Sequence, residues 1–195
     1  FVWQGGAASQ QHIYARFRSA TNTWLTGDVL VNTFTNNFQI NPSVAVLTNG
    51  NVVVVWASFD QVSSASLQDV YGQILSPAGQ KIGGEFLINQ FTAYNQRTPA
   101  IASLANGGFI VTWVSEQERS TAPNWGTNST YYGVSGAPLP SVDIYARLYN
   151  ADGSALNNEF LVNADSNPAA NPVVAATADG SYMIAWDARD MANST

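Results

Sequence analysis

Three copies of one pattern run through this 195-residue chain, and their spacing constrains the fold more than any other feature. The first copy carries Tyr14-Ala15-Arg16, Asp28-Val29-Leu30-Val31-Asn32, Asn41-Pro42, and Asn49-Gly50 running into Val53-Val54-Val55-Trp56. The second carries Tyr71-Gly72-Gln73, Glu85-Phe86-Leu87-Ile88-Asn89, Thr98-Pro99, Asn106-Gly107 and Trp113. The third carries Tyr145-Ala146-Arg147, Glu159-Phe160-Leu161-Val162-Asn163, Asn171-Pro172, Asp179-Gly180 and Trp186. Tyr and acid stand 14 residues apart in every copy, and Tyr and Trp stand 42, 42 and 41 apart. A constant interior means that one folded unit has been copied with its registers and turns, and such units bury their apolar faces by stacking on neighbours. From Trp to the next Tyr the steps are 15 and 32 residues, so the second connector holds an insertion, as surface loops do.

Within a unit the periodicity is that of strands. Ile13, Ala15 and Phe17 alternate with Tyr14, Arg16 and Arg18, and the alternation recurs at Val70, Gly72, Ile74 and at Ile144, Ala146, Leu148. The middle inward position is always Ala or Gly, which predicts close approach of a neighbouring sheet. Phe86-Leu87-Ile88 is a short unbroken apolar run, the pattern of a strand covered on both faces. Pro42, Pro99 and Pro172 are expected at strand entrances, where a missing N–H does least harm. Asn-Gly or Asp-Gly between apolar runs predicts hairpins, because these residues tolerate positive φ. Each unit thus supplies about four antiparallel strands. The chain divides as 1–11, the end of a preceding repeat; 12–60 and 61–117, two repeats; 118–142, an inserted loop; and 143–195, a third repeat.

Composition narrows the function classes. Hydrophobic residues make up 46% of the chain and aromatics 12%, enough for a folded core, while charged residues are only 10%, against the usual level of roughly a quarter. The net charge is −6 and Lys81 is the sole lysine, so a phosphate-tracking surface is excluded and no nucleic-acid partner is expected. No apolar stretch approaches the roughly 20 residues of a spanning helix, so no membrane insertion is expected. The absence of cysteine rules out disulfides and thiolate metal sites. Phe1-Val2-Trp3 aligns with Val54-Val55-Trp56, so the start falls inside a repeat and the expectation is an excerpt of a longer polypeptide or a processed product.

Asp143-Ile144-Tyr145, Asn158-Glu159-Phe160-Leu161-Val162-Asn163, Pro99-Ala100-Ile101-Ala102 and Asn106-Gly107-Gly108-Phe109-Ile110-Val111-Thr112-Trp113 resemble tandem repeats of roughly fifty residues in very large secreted or surface-attached bacterial proteins. The resemblance covers nearly the whole chain. It implies an extracellular or cell-surface setting and a β-propeller-like or stacked-sheet fold, in proteins that often also carry calcium-binding nonapeptides of the RTX type. This chain has no run of such nonapeptides, and Asp152-Gly153 lacks the spaced Asp and Asn partners of a calcium loop. No metal and no cofactor is therefore expected.

Candidate sites are few. Arg16 with Asp28, Gln73 with Glu85 and Arg147 with Glu159 read as cross-strand structural pairs, because the middle copy replaces the cation by an amide. Trp3, Trp56, Trp113 and Trp186 read as repeat-core residues. His12 is the sole histidine and occupies the place of Asp69 and Asp143 in the other copies, so neither a metal site nor a Ser-His triad is expected. The insertion at 117–142 holds Trp125, Tyr131 and Tyr132 among small polar residues, a composition suited to stacking on sugars, and these three are the candidate ligand-binding residues. Asn128-Ser129-Thr130 and Asn193-Ser194-Thr195 match the glycan-acceptor pattern, so Asn128 and Asn193 are candidate glycosylation sites.

These readings lead to an all-β fold of tandem four-stranded antiparallel sheets, propeller-like blades in an incomplete or open ring, since closed propellers take 4 to 8 blades. The first functional expectation is a non-catalytic extracellular structural or adhesive module of a surface layer, adhesin or filament, self-associating through sheet edges and repeat faces and not an enzyme. Two others stand beside it: a carbohydrate-binding, lectin-like propeller with glycan partners, and a hydrolase fragment whose site is completed elsewhere.

Overall fold

The computed structural model describes residues 1–63, 66–116, 142–165 and 167–189. They form an all-β structure of thirteen strands in four antiparallel sheets, and among the described residues there is no helix. Sheet one joins β1 (Val2–Ala7), β2 (Gln10–Ala15) and β3 (Val29–Leu30). Sheet two joins β4 (Gln39–Val46), β5 (Val52–Phe59), β6 (Gln68–Leu75) and β7 (Lys81–Leu87). Sheet three joins β8 (Gln96–Ser103), β9 (Phe109–Ser115), β10 (Asp143–Tyr149) and β11 (Phe160–Leu161), and sheet four joins β12 (Ala169–Ala176) and β13 (Tyr182–Ala188). Each sheet is a meander in chain order, so one sequence repeat, Tyr to Trp, ends one sheet and begins the next. The first strands lie side by side, β4 against β8 and β8 against β12.

The hairpins follow from their turn residues. Gly50, Gly107 and Gly180 have φ of 85°, 92° and 91°, conformations that a Cβ disfavours, and Gly50 and Gly107 donate N–H to Leu47 and Leu104. The prolines sit elsewhere than expected. Pro42, Pro99 and Pro172 lie inside β4, β8 and β12, at register shifts between Ile40 and Ser43, Arg97 and Ala100, and Ala170 and Val173. A bulge frees the proline position from the ladder, so the missing N–H breaks no bond there. The residue before each proline takes positive φ: Asn41 54°, Thr98 50° and Asn171 50°.

Period-two alternation sends the two faces of each sheet to different neighbours. Val52, Val54, Trp56 and Tyr71 of sheet two pack on Ile13, Ala15 and Val31 of sheet one. Val53, Val55, Val70 and Ile74 pack on Phe109, Val111, Trp113 and Tyr149 of sheet three, and Ala146 and Ile110 meet Val174 and Ile184 of sheet four. Trp56 and Trp113 are wholly buried. Each buried Val or Ile contributes about 2 kcal/mol, so the intersheet layers hold the array together. The small residue at Gly72 makes room for the Phe86 ring of the adjacent strand: a Cβ there would stand 3.0 Å from its tip. Phe86 in turn reaches Phe109 and Tyr149 of sheet three, with centroids 6.5 and 6.1 Å away.

The repeated acid reinforces this stacking. Glu85 accepts from Thr33 N at 2.9 Å, Phe34 N at 3.0 Å and Gln61 Nε2 at 2.7 Å, clasping the loop that leaves sheet one. Glu159 repeats the contact on sheet two, accepting from Gln90 N at 2.6 Å and Phe91 N at 3.2 Å. Lys81 Nζ adds bonds to Asn32 O and Thr33 Oγ1, both at 3.2 Å. Its partial burial lowers its pKa, against the pull of Glu85. Arg16 and Asp28 form the expected cross-strand ion pair, at 3.7 Å and open to solvent, whereas Arg147 donates to the carbonyls of Asn157 and Ile88 and Gln73 to those of Ile74, Ile82 and Gly83.

Candidate functional site

One end of the sheets carries residues 31–38, 60–63, 66–67, 88–95, 162–165 and 167–168 together with Glu116, and most of the buried polar chemistry among the described residues is there. Asn89 anchors that end of sheet two. Its Oδ1 accepts from Val70 N at 2.7 Å, and its Nδ2 donates to Asp69 Oδ1 at 2.7 Å and Phe91 O at 2.9 Å. Asn163 does the same with Ile144 N, Asp143 and Asp165 O, and Asn32 with Ile13 N, His12 Nδ1 and Phe34 O. His12 thus takes the structural place of an aspartate, which is why a lone histidine is tolerated there. Burial pushes the Asp69 carboxyl up, while bonds from Asn89 and Ser66 pull it back.

At the same end of sheet three, where the insertion leaves β9, Glu116 is buried and both its oxygens are engaged. Oε1 accepts from Arg97 Nε at 3.2 Å and Oε2 from Asn95 Nδ2 at 2.8 Å. Gln68 Nε2 extends the network to Asn95 Oδ1 at 3.1 Å. The Glu116 bond holds the Arg97 guanidinium in one orientation beside a cavity of about 440 Å³ between sheets three and four. Arg97, Asp187, Arg189 and the small residues Ala169 and Ala170 line it. Asp187 Oδ2 accepts from Asn171 Nδ2 at 2.9 Å. A smaller hollow of about 280 Å³ lies at the hairpin end, lined by Asn49, Asn51, Ile74, Ile82 and Asp152. Asp152 is engaged there by Ser154, whose N–H and hydroxyl it accepts at 2.9 and 2.6 Å, and these bonds lower its pKa.

Among the described residues no group of three or more His, Asp or Glu side chains is placed to hold a metal ion. Trp125, Tyr131, Tyr132, Asn128 and Asn193, the ligand and glycosylation candidates of the sequence, lie outside the described residues. Trp56 and Trp113 are core residues, Trp186 packs between sheets three and four, and Trp3 stacks on Tyr14 with centroids 5.9 Å apart. The cavity between sheets three and four was missed. Its signal was present as a departure from the repeat: Ala169-Ala170 stand where the other copies have Gln39-Ile40 and Gln96-Arg97.

Fold and site together define an all-β protein of stacked antiparallel sheets with a charged cavity at the end where the longest connection emerges. No family model and no curated protein matches the chain. Among solved structures it is similar to the alpha-L-arabinofuranosidase from Lactobacillus brevis, with a TM-score of 0.52 at 13% identity, covering 95% of this chain and 57% of that one. It is also similar to the endo-arabinase from Bacteroides thetaiotaomicron VPI-5482, with a TM-score of 0.49 at 14% identity, covering 95% of this chain and 68% of that one. The chain thus spans under two thirds of the arabinofuranosidase it matches.

This likeness corrects two expectations: that the chain is a non-catalytic structural or adhesive self-assembling module, and that it is no enzyme. The arabinofuranosidase is an enzyme that takes the same fold over nearly all of this chain. The physical reason is that repetition, low charge and apolar patterning report how sheets stack, and the same stacking carries sites built from loop and strand-end residues. A lack of recognisable catalytic spacing in the sequence therefore excluded nothing.

Proposed function

We propose that this chain contributes blades of a carbohydrate-active β-propeller of the hydrolase type, with the sugar meeting the end of the sheets that carries residues 31–38 and 88–95. Sheets two and three are then complete blades, with β1–β3 and β12–β13 belonging to flanking ones. The observation that carries the reading is the fold shared with the arabinofuranosidase over 95% of the chain. The cavity beside Arg97 lies at the same end, and its volume of about 440 Å³ falls within the range of small-ligand sites. Release of reducing ends from a panel of plant and bacterial polysaccharides, with binding followed by affinity electrophoresis, tests it. Cleavage or retention of at least one polysaccharide is expected, and neither on any would overturn the reading.

A binding-only form of the same reading rests on the carboxylates at this cavity. Hydrolysis of a glycosidic bond ordinarily takes two carboxyl groups flanking it. Glu116 is engaged on both oxygens, by Arg97 and Asn95, while Asp187 has Oδ1 without a protein partner among the described residues. Binding without cleavage in the same assay is the outcome that selects this form.

A further inference from the structure

We propose that the cavity between β8–β9 and β12–β13 binds an acidic sugar, with the carboxylate of a uronate unit on Arg97 and Arg189 and its ring hydroxyls on Asp187. The inference rests on the carbohydrate reading above and names the class of sugar.

Three observations converge on it. First, the cavity exists because the fourth sheet departs from the repeat around it. Gln39 fills the equivalent place in sheet two, wholly buried, accepting from Trp56 Nε1 at 3.0 Å and donating to Asn36 O at 3.0 Å. Gln96 fills it in sheet three, wholly buried and donating to Ala93 O. Ala169 and Ala170 remove both the amide and the next, larger side chain, which leaves the space open. Second, the facing strand brings an acid and a cation to this cavity: Asp187 stands where the other copies have Ala57 and Val114, and Arg189 stands where they have Phe59 and the acid Glu116. Third, arginine is scarce. The chain has six arginines and a net charge of −6, yet two of the six line this one cavity.

The geometry of Arg97 suits a carboxylate. Its Nε is held by Glu116, and its side chain is 30% exposed. The two Nη groups have no protein partner among the described residues, which leaves the planar fork free on the side that accepts carboxylates bidentately. The Arg189 side chain likewise makes no ion pair among the described residues, while its backbone N–H donates to Pro168 O at 3.0 Å and fixes the strand end. A neutral sugar would satisfy Asp187 and leave both guanidiniums to water, whereas a uronate answers all three groups.

The test is calorimetric titration of the 195-residue chain with oligogalacturonate, with the same oligosaccharide fully methyl-esterified, and with neutral galacto-oligosaccharide, at one salt concentration. Removing the charge at nearly constant shape isolates the carboxylate. The charged ligand is expected to bind about tenfold more tightly than its ester. Arg189→Gln, at an exposed position, is expected to reduce that preference by weakening the acid more than the ester. Arg97→Lys, which keeps a cation for Glu116 but loses the fork, is expected to reduce it too. Equal affinity for acid and ester, or a preference untouched by both substitutions, would overturn the inference and leave the carbohydrate reading standing. Failure of all three ligands to bind, while another neutral polysaccharide is retained, would also overturn it. Failure of every saccharide would remove both.

Discussion

Asn89 and Asp69 are bonded side chain to side chain at 2.7 Å in the buried mouth of sheet two, and the same Asn89 amide holds Val70 N and Phe91 O. One side chain thereby ties the start of β6 to the loop that follows β7, and it is 1% exposed. Sheet three repeats the device with Asn163 and Asp143 at 2.8 Å, and sheet one replaces the acid by His12 at 3.3 Å. The amide is constant because its oxygen accepts the strand N–H while its nitrogen donates twice, to the partner side chain and to the loop carbonyl, and any partner that offers an acceptor answers it.

Truncating that amide exposes the cost. Asn89→Ala leaves a buried N–H at Val70, a carbonyl at Phe91 and the Asp69 carboxylate without their partner, and we expect a loss of about 3 kcal/mol. Urea unfolding measures it, with faster amide exchange at Val70 as the local signature. A loss within the range of ordinary surface substitutions, below about 0.5 kcal/mol, would show that the device does not hold the sheet.

The partner acid gives a pH signature. Burial raises the Asp69 pKa above 3.8, so the folded chain holds that proton more tightly than the unfolded one. As pH rises from about 3.8 through the raised folded value, the native state loses stability relative to a chain without the charge, and above it the cost is constant. Asp69→Asn keeps an oxygen for Asn89 and removes the ionisation. Relative to the native chain, the variant is expected to be more favourable at about pH 7 than at about pH 3.5. A difference between the two unfolding curves that does not change with pH would refute the assignment.

Contacts between sheets can be tested against the repeat itself. Glu85→Ala removes the acceptor for Thr33 N, Phe34 N and Gln61, and Glu159→Ala removes that for Gln90 N and Phe91 N. Each is expected to cost about 1.5 kcal/mol and to speed amide exchange in the clasped loop. Asp28→Ala, the same repeat position, removes only an exposed 3.7 Å ion pair and is expected to cost less than about 0.5 kcal/mol. Equal losses at all three positions would mean that the clasp contributes nothing beyond local pairing.

That contrast also marks what the sequence made legible. Strands and hairpins were readable because alternation at Ile13-Ala15-Phe17 and glycines at 50, 107 and 180 are local signals with local causes. The role of Glu85 was not, because two of its three partners are backbone amides of a loop 51 and 52 residues away, and a backbone amide leaves no mark on residue type. Pro42, Pro99 and Pro172 were read as strand entrances although they sit in bulges, since a proline announces a missing ladder bond without saying how it is accommodated. The cavity was visible only as a difference, Ala169-Ala170 against Gln39-Ile40, and such a difference means little until packing shows which side chain has gone.

The bulges themselves offer a stabilising substitution. At the residue before each proline the chain turns left-handed, with φ near +50°, and two of the three copies place asparagine there, the residue after glycine that tolerates it best. Thr98 is the exception. Its Cβ branch crowds the backbone at φ 50°, and its hydroxyl is buried without a hydrogen-bond partner among the described residues. Thr98→Asn removes the branch and places there the side chain found at Asn41 and Asn171, and left-handed backbone costs a Cβ-bearing residue about 1–2 kcal/mol, of which asparagine recovers a part. We expect a gain of about 1 kcal/mol, seen as a rise of about 2–4 °C in Tm for a chain of this size. Thr98→Val, which loses the hydroxyl but keeps the branch, separates the two causes: it should recover the buried-hydroxyl contribution alone. If Thr98→Asn lowers Tm while Thr98→Val raises it, the strain at this bulge is not conformational, and the unpaired hydroxyl is the whole of the cost.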